Sequence, residues 1–212
     1  MGTIFFPSCN FTKASPEAAN KLRSYLLEQM PVAGCCRIDK KQYPIGDTAL
    51  YFCQACRETM EERLPQLRPE NLFVWLAGRT DFPWPDYRGL QVSIQDCWRD
   101  REHPEIWGAV RRLLAKMGVE VWEIQENRER STFCGNLHFE PQSPENTARL
   151  AAYRNQPLYE LPEPEQQALM REQAEKHQGR RVLCYCNRCT AGIRLGGGRP
   201  VHLMELVMGT YG

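Results

Sequence analysis

The sequence predicts an α/β protein, and three observations support that fold class. Short apolar runs alternate with amphipathic segments of helical period along the 212 residues, which is the order of elements in α/β folds. The segment ALYFCQACRETM at residues 49–60 aligns with VLCYCNRCTAGI at residues 182–193, with both cysteines in register, so the chain contains an internal repeat. Hydrophobic residues make up 42% and charged residues 25% of the chain, a composition typical of globular proteins.

The first half of the chain is expected to contain three strands and two helices. Ser15, Pro16 and Glu17 form a helix start, because they supply a capping hydroxyl, a proline at the first helical position and an early acid. The apolar run at residues 72–76 is interpreted as a buried strand. The predicted strands are residues 3–6, 48–52 and 72–76, and the predicted helices are residues 15–30 and 54–64.

The second half repeats this alternation. Its strongest helix begins at Pro104, directly after His103, carries its apolar residues on one stripe and ends at Gly118. Further helices are expected from residues 143, 161 and 203, and strands at residues 90–94, 119–124 and 181–185. The segment DFPWPDYR at residues 81–88 is rich in proline and aromatic residues and is interpreted as the connection between two lobes, residues 1–88 and residues 89–212.

The charge and hydropathy of the chain exclude several classes of partner. The formal charge of +1 and the pI near 7.5 argue against nucleic acid or an anionic membrane as the partner. No apolar run approaches the roughly 18–20 residues that span a bilayer. The first ten residues lack the basic region and long apolar stretch of a signal peptide. We therefore expect a cytoplasmic protein without a membrane partner, in a compartment where disulfides do not normally persist.

Nine of the ten cysteines fall into two similar but unequal sets. Thiolates gathered from distant stretches of a chain form disulfides, hold zinc or hold an iron–sulfur cluster. The alternative is that the thiols are small apolar side chains of the core, and two Cys-x-x-Cys pairs and a vicinal pair argue against it. The first set contains Cys9, Cys35, Cys36, Cys53 and Cys56, and the second contains Cys97, Cys134, Cys186 and Cys189. The tenth, Cys184, is interpreted as a buried strand residue.

The motifs around these cysteines resemble the cysteine-rich domain that carries the CCG motif. This domain occurs in the disulfide-cleaving subunit of heterodisulfide reductase and in iron–sulfur subunits of glycolate oxidase, lactate utilisation and some succinate dehydrogenase systems. FFPSCNF resembles its opening motif, AGCCR the first CCG and LYFCQACRETM the first Cys-x-x-Cys. IQDCWRDREHP, STFCG and CYCNRCTAGI repeat the same order in the second half, with Phe133 in place of one cysteine. Arg37 stands where the first CCG has glycine.

The resemblance implies two repeated lobes, each with a short, mostly parallel sheet flanked by helices. It implies that the first set of five cysteines binds a noncubane [4Fe–4S] cluster, since five thiolates exceed the four that a regular cluster or zinc requires. The four cysteines of the second set suit a regular [4Fe–4S] cluster or zinc equally well by ligand number. Phe133 should prevent a noncubane cluster at this second site.

The function expected from these features is thiol–disulfide reduction or related electron transfer by an iron–sulfur protein. No glycine fingerprint for a flavin or nicotinamide is present, so electrons would arrive from an iron–sulfur or flavin protein, and the substrate would be a small disulfide or thiol. Two alternatives remain: a non-catalytic relay or assembly subunit of a flavoprotein complex, and a zinc-stabilised binding module. His103, near Cys97, is the candidate proton donor, and His177 is expected to face solvent in a charged helix.

Overall fold

The computed structural model describes residues 1–154 and 156–212, and its regular elements alternate between strand and helix. The strands are β1 Thr3–Phe5, β2 Thr48–Tyr51, β3 Arg68–Asn71, β4 Gln91–Gln95, β5 Glu120–Glu123, β6 Arg181–Cys184 and β7 Arg199–His202. The α-helices are α1 Cys9–Ala14, α2 Pro16–Leu27, α3 Gln54–Arg63, α4 Leu72–Ala77, α5 Pro104–Lys116, α6 Pro144–Ala152, α7 Glu163–Glu175, α8 Asn187–Leu195 and α9 Leu203–Val207.

The strands form two small parallel sheets. The first has the order β1-β2-β3, and the second has the order β5-β4-β6-β7. Ile4 pairs with Ala49 in the first sheet and Ile94 with Leu183 in the second. Because parallel neighbours need crossover connections, helices intervene between most of the strands and cover the sheets. The predicted α/β fold with two short, mostly parallel sheets is confirmed.

In the first sheet, β1 and β2 are buried on both faces, as their apolar sequences require. Ile4, Phe6 and Ala49 face one apolar cluster, while Phe5 and Leu50 face the other. The alternation follows from the two-residue period of a strand, and an apolar residue at every position is typical of a sheet covered on both sides.

One hydrophobic core joins the two halves of the chain. Phe52 of the first half packs against Phe73, and Phe73 packs edge-to-face against Tyr185 of the second half, with ring centroids 6.0 Å apart. Among the described residues, no strand pairs across the predicted lobe boundary at residues 88 and 89. The two sheets therefore belong to separate stretches of sequence but are packed against each other through a shared apolar layer.

The prediction of a strand at residues 72–76 is wrong, because these residues form the helix α4. The run Leu-Phe-Val-Trp-Leu has high strand propensity, but Asn71 precedes it, and its Oδ1 accepts a hydrogen bond from the Phe73 N–H at 2.9 Å. The strand of this region is β3, which ends at that capping residue. Local capping chemistry thus outweighs the propensity of the apolar run.

The prediction that His177 faces solvent is also wrong, since its side chain is fully buried. Its Nδ1 lies 2.6 Å from the Ser93 hydroxyl, and its Nε2 lies 3.1 Å from Gln95 Oε1. Gln173 donates to the same Gln95 oxygen at 2.7 Å, so these four side chains form one buried polar network beside β4. Because the Gln95 oxygen only accepts, His177 donates from Nε2 and accepts from Ser93 at Nδ1.

Within the described part of the chain, no helix is both long enough and apolar enough to cross a bilayer.

The buried histidine should make stability depend on pH. Burial lowers the pKa of His177 to about 4 from its ordinary 6.5. The folded state therefore resists a proton that the unfolded state accepts, so this contribution to stability is complete above pH 6.5 and is lost as the pH falls towards 4. We expect the loss to be at most about 3 kcal/mol.

The measurement is the free energy of unfolding in denaturant across this pH range, for the wild type and for two variants. His177→Gln should be less stable near neutral pH, and its free energy of unfolding should decrease less steeply as the pH falls. Ser93→Ala is the matched control, because it removes the same hydrogen bond but keeps the imidazole and therefore the slope. An unchanged slope in His177→Gln would contradict the assignment.

Candidate metal centres

The cysteines are positioned by the carboxyl ends of parallel strands. Cys9 follows β1, Cys53 follows β2, Cys97 follows β4 and Cys186 follows β6. In open α/β sheets this end carries the loops where ligands bind, because the strands stop there and the helix N-termini begin. The topology therefore gathers at the ends of the two sheets four thiols that lie far apart in sequence.

The aligned Cys-x-x-Cys segments adopt the same local structure. In each, a strand ends, the first cysteine is the N-cap and a helix begins at the next residue: Cys53 precedes α3 and Cys186 precedes α8. The unpaired N–H groups and the positive dipole end of such a helix favour an anionic sulfur. Cys184 is fully buried in β6, as expected from its alignment with the buried Tyr51 of β2.

The repeat extends further than the cysteines. Arg68-Pro69 opens β3 and Arg199-Pro200 opens β7, and each strand runs directly into a helix, α4 or α9. Asn71 caps the first of these helices and His202 caps the second. The shared Arg-Pro pair at similar distances after the two Cys-x-x-Cys segments is the sequence signal for these two strands, which the pattern-based prediction missed.

The second set of cysteines forms a compact and fully buried group. The sulfur atoms of Cys97, Cys134, Cys186 and Cys189 all lie within 4.8 Å of one another. The Sγ–Sγ distance is 3.5 Å from Cys97 to Cys134 and 4.0 Å from Cys134 to Cys186. Four converging thiols in an apolar surrounding form a group that could hold a metal ion or a cluster.

One of these four thiols is much more acidic than the others. Hydrogen bonding with its thiol neighbours, Cys134 first, lowers the pKa of Cys186 well below the usual value. Burial raises the pKa of both Cys97 and Cys189. Cys186 lies at the N-terminus of α8, where the helix dipole also favours a negative charge.

The backbone of this site depends on two glycines. Gly135 follows Cys134 with a φ of +56°, and a Cβ there would overlap the Arg188 carbonyl oxygen in the first turn of α8. Gly192 lies on the same helix, and a Cβ there would meet the Gly135 backbone. The chain carrying Cys134 thus lies directly against the helix carrying Cys189, and only glycine permits that approach.

Phe133 occupies the position of the missing cysteine and belongs to the core. Its ring is fully buried and packs edge-to-face on Phe139, with centroids 5.7 Å apart. Its carbonyl oxygen accepts a hydrogen bond from the Trp98 N–H at 3.0 Å. This bond ties the Cys134 segment to the turn that follows Cys97.

The hydroxyl group of Tyr185 holds the backbone at Cys97 of the second site in place. The Tyr185 hydroxyl accepts a hydrogen bond from the Cys97 N–H at 3.1 Å and donates to Asp96 Oδ1 at 3.2 Å. Arg111 pairs with the other oxygen of Asp96 at 2.7 Å. The sequence analysis did not predict a role for Tyr185, Asp96 or Arg111. The one available signal was Asp96, because a charged residue directly after a buried strand needs a partner.

The first set of cysteines lines a more open space. All five of these thiols border one cavity of about 180 Å³. Its inner side is formed by the buried Cys36, Cys53 and Cys56, whereas Cys9 is exposed and Cys35 is half-buried. Among the described residues, only the second set brings its sulfur atoms within 4.8 Å of one another, so the thiols of the first set are less closely gathered.

The thiols of the first set also differ in acidity. A hydrogen bond from the Cys56 thiol lowers the pKa of Cys53 to about 6 and that of Cys36 to about 7. The Ser8 hydroxyl lowers the pKa of Cys53 further, and the charge of Arg37 lowers that of Cys36. The lowered pKa values of Cys36 and Cys53 favour the thiolate, which is the form that binds metals.

A polar cleft of about 330 Å³ lies between the two sites. Cys53 of the first set and Cys186 of the second both border it, together with the first residues of α3 and α8. The negative charge of Cys186 raises the pKa of Cys53, which agrees with two sulfurs that face a common space. Three arginines also border the cleft: Arg37, Arg99 and Arg188.

A buried carboxylate connects the two sites beneath this cleft. Asp100 lies three residues after Cys97 and is fully buried. It accepts a hydrogen bond from Arg57 at 2.8 Å and another from the Gln54 side chain, both in α3. Burial raises the pKa of Asp100 to about 6, while Gln54 and Arg57 act in the opposite direction. This contact fixes the helix of the first Cys-x-x-Cys relative to the second site.

His103, the predicted proton donor, lies apart from the cysteines. It is the N-cap of α5, and its Nδ1 lies 3.0 Å from Glu105 Oε1. The cavity that it borders, beside Arg57 and Trp98, has no cysteine in its lining. Its proposed role as a proton donor stays a prediction.

Comparisons with protein-family models and with curated proteins find no relative of this chain. No protein-family model matches the chain, and no curated protein matches it. The likeness to the CCG domain family therefore rests on the cysteine motifs themselves.

The close approach at Gly135 leads to a specific prediction. Gly135→Ala adds a methyl group that overlaps a backbone oxygen of α8, so Cys134 must move out of the site. Gly179→Ala is the matched control, because Gly179 also has positive φ, +71°, but has nothing within 4 Å of a new Cβ.

We expect the control to lose about 1–2 kcal/mol of unfolding free energy and to keep its metal. Gly135→Ala should lose the metal of the second site and retain that of the first. Elemental analysis of both purified variants tests this, and full metal content in Gly135→Ala would show that the tight contact does not position the ligand.

Proposed function

We propose that this protein is an iron–sulfur redox protein of the CCG type that reduces a small disulfide in the cleft between its two cysteine sites. The observation that supports this most directly is the cleft itself, which Cys53 and Cys186 both border. A substrate there would contact the open first site on one side and the buried second site on the other.

The first site fits a multi-iron cluster better than a single ion. The five thiols border a cavity of about 180 Å³, which is more space than one metal ion needs. Five is also more than a tetrahedral ion can use. A cluster bound there would supply single-electron transfers. Cys36 and Cys53 would be its first ligands, because their lowered pKa values already favour thiolates.

The second site fits a single tetrahedral ion such as zinc. With Zn–S bonds of about 2.3 Å, tetrahedral thiolates lie about 3.8 Å apart. Two of the separations, 3.5 Å and 4.0 Å, bracket that value, and all of them are within 4.8 Å. The ligands of a cubane each bind a different iron and are spread further apart. We therefore assign this site a structural role, in which the ion fixes the Cys186 side of the cleft.

Disulfide reduction in the cleft requires electrons and protons from outside the chain. One S–S bond breaks, two electrons and two protons are consumed, and two thiols leave. The electrons come from an electron-donating iron–sulfur or flavin protein, since the chain has no flavin or nicotinamide motif of its own. Water that enters the open cleft supplies the protons. Three arginines border the cleft against two acids, Glu58 and Glu62, and this balance favours a substrate with anionic groups beside the disulfide.

The metal assignment makes a prediction for three cysteine variants. Cys36→Ala should change the cluster at the first site, and Cys134→Ala should remove only the metal of the second site. Cys184→Ala is the matched control, because Cys184 is buried in a strand and borders neither site. Anaerobic quantification of iron, sulfide and zinc, with low-temperature electron paramagnetic resonance, measures the outcome. Purified protein without iron and sulfide would rule out the proposed function.

The charge of the cleft makes a separate prediction about substrates. Arg188 borders the cleft, and its Nη1 donates to Asn136 Oδ1 at 3.0 Å. Arg188→Gln should lower kcat/KM for the dianion 3,3′-dithiodipropionate about tenfold, the value of one charge-assisted hydrogen bond. The dication cystamine should be unaffected or improved.

Arg194→Gln is the control, since it removes the same charge from the exposed end of α8. If Arg188→Gln lowers kcat/KM equally for both disulfides, the cleft does not prefer anionic substrates. If the wild type reduces no disulfide but accepts electrons from a flavoprotein, the relay function is correct instead.

A further inference from the structure

The loop at residues 34–46, called the basic loop here, combines exposed cations with exposed apolar groups at the edge of the first site. It carries Arg37, Lys40 and Lys41, all exposed. Ile38 is 76% exposed and Ile45 is 88% exposed, although both are large apolar side chains. Uncovered isoleucines among cations are a composition found where proteins bind one another.

The loop holds one shape although it has almost no regular structure. The Asp39 carboxylate accepts hydrogen bonds from the Gly34 N–H, the Lys41 N–H and the Tyr43 hydroxyl, each at 2.9 Å. The Tyr43 ring packs edge-to-face on Phe6 of the core, with centroids 5.4 Å apart. A preformed surface loses little conformational entropy when it binds a partner.

The same contacts leave the loop with a net positive surface. The loop's single acid, Asp39, is held by these hydrogen bonds, and its pKa is lowered by the one from the Lys41 N–H, so one negative charge stands against three positive ones. Glu58, across the cleft from Arg37, is bound to Arg99 at 2.9 Å. Among the described residues, the ion pairs include neither Arg37 nor the two lysines of the loop.

The loop lies directly beside the place where electrons would enter. The Ile38 and Asp39 N–H groups both donate to the Cys35 carbonyl oxygen, at 3.0 Å and 2.9 Å. Cys35 and the exposed Cys9 form the outer wall of the first cavity. The second site, in contrast, is fully buried. A donor seated on the loop is therefore close to the first site, and electron transfer requires that proximity.

We propose that the basic loop, through Ile38, Lys40 and Lys41, is the docking surface for a small acidic electron-donor protein. This inference rests on the proposed function. In each encounter the donor is oxidised by one electron and the first site is reduced by one, and two encounters supply the two electrons of a disulfide. The cations attract the acidic donor, and the isoleucines provide apolar contact once it is seated.

The test uses the anaerobically purified protein and a reduced plant-type [2Fe–2S] ferredoxin, a small acidic one-electron carrier. The variant Lys40→Glu/Lys41→Glu reverses two charges of the loop. The matched control, Arg23→Glu/Arg171→Glu, makes the same change in net charge at exposed positions of α2 and α7. Stopped-flow absorbance follows ferredoxin oxidation at low and high salt.

We expect the loop variant to slow electron transfer about tenfold at about 20 mM salt and the control to change it less than about twofold. Near 1 M salt, where the Debye length is about 3 Å, wild type and variant should converge. Ile38→Ser should slow transfer at both salt concentrations. Equal rates for the loop variant and the control would overturn the docking surface.

A second measurement is independent of electron transfer. A zero-length carbodiimide joins lysine amines to carboxylates in contact, so cross-linking to ferredoxin should occur at Lys40 and Lys41 and be located by peptide mapping. Cross-links confined to other lysines would overturn the proposal. So would salt-sensitive binding to anionic lipid vesicles without any cross-link to ferredoxin.

Reduction by dithionite separates this inference from the proposed function. Dithionite needs no docking surface, so it should reduce the wild type and all variants alike. If none of these proteins contains a reducible centre, the proposed function fails. If all are reduced by dithionite and the loop variant still reacts normally with ferredoxin, only the docking surface fails.

Discussion

The position of one cysteine site relative to the other depends on the buried carboxylate of Asp100. Asp100 lies three residues after Cys97 of the second site and binds Gln54 and Arg57, which directly follow the two cysteines of the first Cys-x-x-Cys segment. Removal of one partner from a buried ion pair typically costs about 3–5 kcal/mol, because the other charge remains without compensation. A contact whose loss would be strongly destabilising therefore holds the start of α3 against the turn that follows Cys97.

The sheets determine where the acidic thiols lie. Each sheet delivers one Cys-x-x-Cys segment from a strand end into a helix start, so Cys53 and Cys186 are both N-cap residues. Hydrogen bonds with neighbouring thiols lower the pKa of both cysteines. The same two residues border the shared cleft. Topology, local helix structure and electrostatics thus favour the thiolate form of the two cysteines that lie on either side of the cleft.

The sequence was sufficient for features that depend on short-range pattern. It predicted the parallel α/β class, most helices and the strand-to-helix position of Cys53 and Cys186. Prediction failed where a capping residue or a distant residue determines the structure. Asn71 caps a helix in an apolar run that has the composition of a strand. Hydrogen bonds from Ser93 and to Gln95 satisfy His177 in the core. The spacing of sulfur atoms at the second site was likewise beyond prediction, because ligand number alone does not distinguish a single ion from a cluster.

The unequal exposure of the two sites argues for unequal roles. A site that exchanges electrons with a partner must lie near the surface, whereas a site that maintains structure gains from exclusion of water. The first set has an exposed member, Cys9, and a rigid cationic loop beside it. The second set is buried, and the Phe133 ring packs into the core beside it. The contacts at Gly135 and Gly192 hold the Cys134 segment directly against α8, the helix that begins after Cys186 at the cleft. The second site is therefore built as a rigid side of the cleft, whereas the first site is open to the surface.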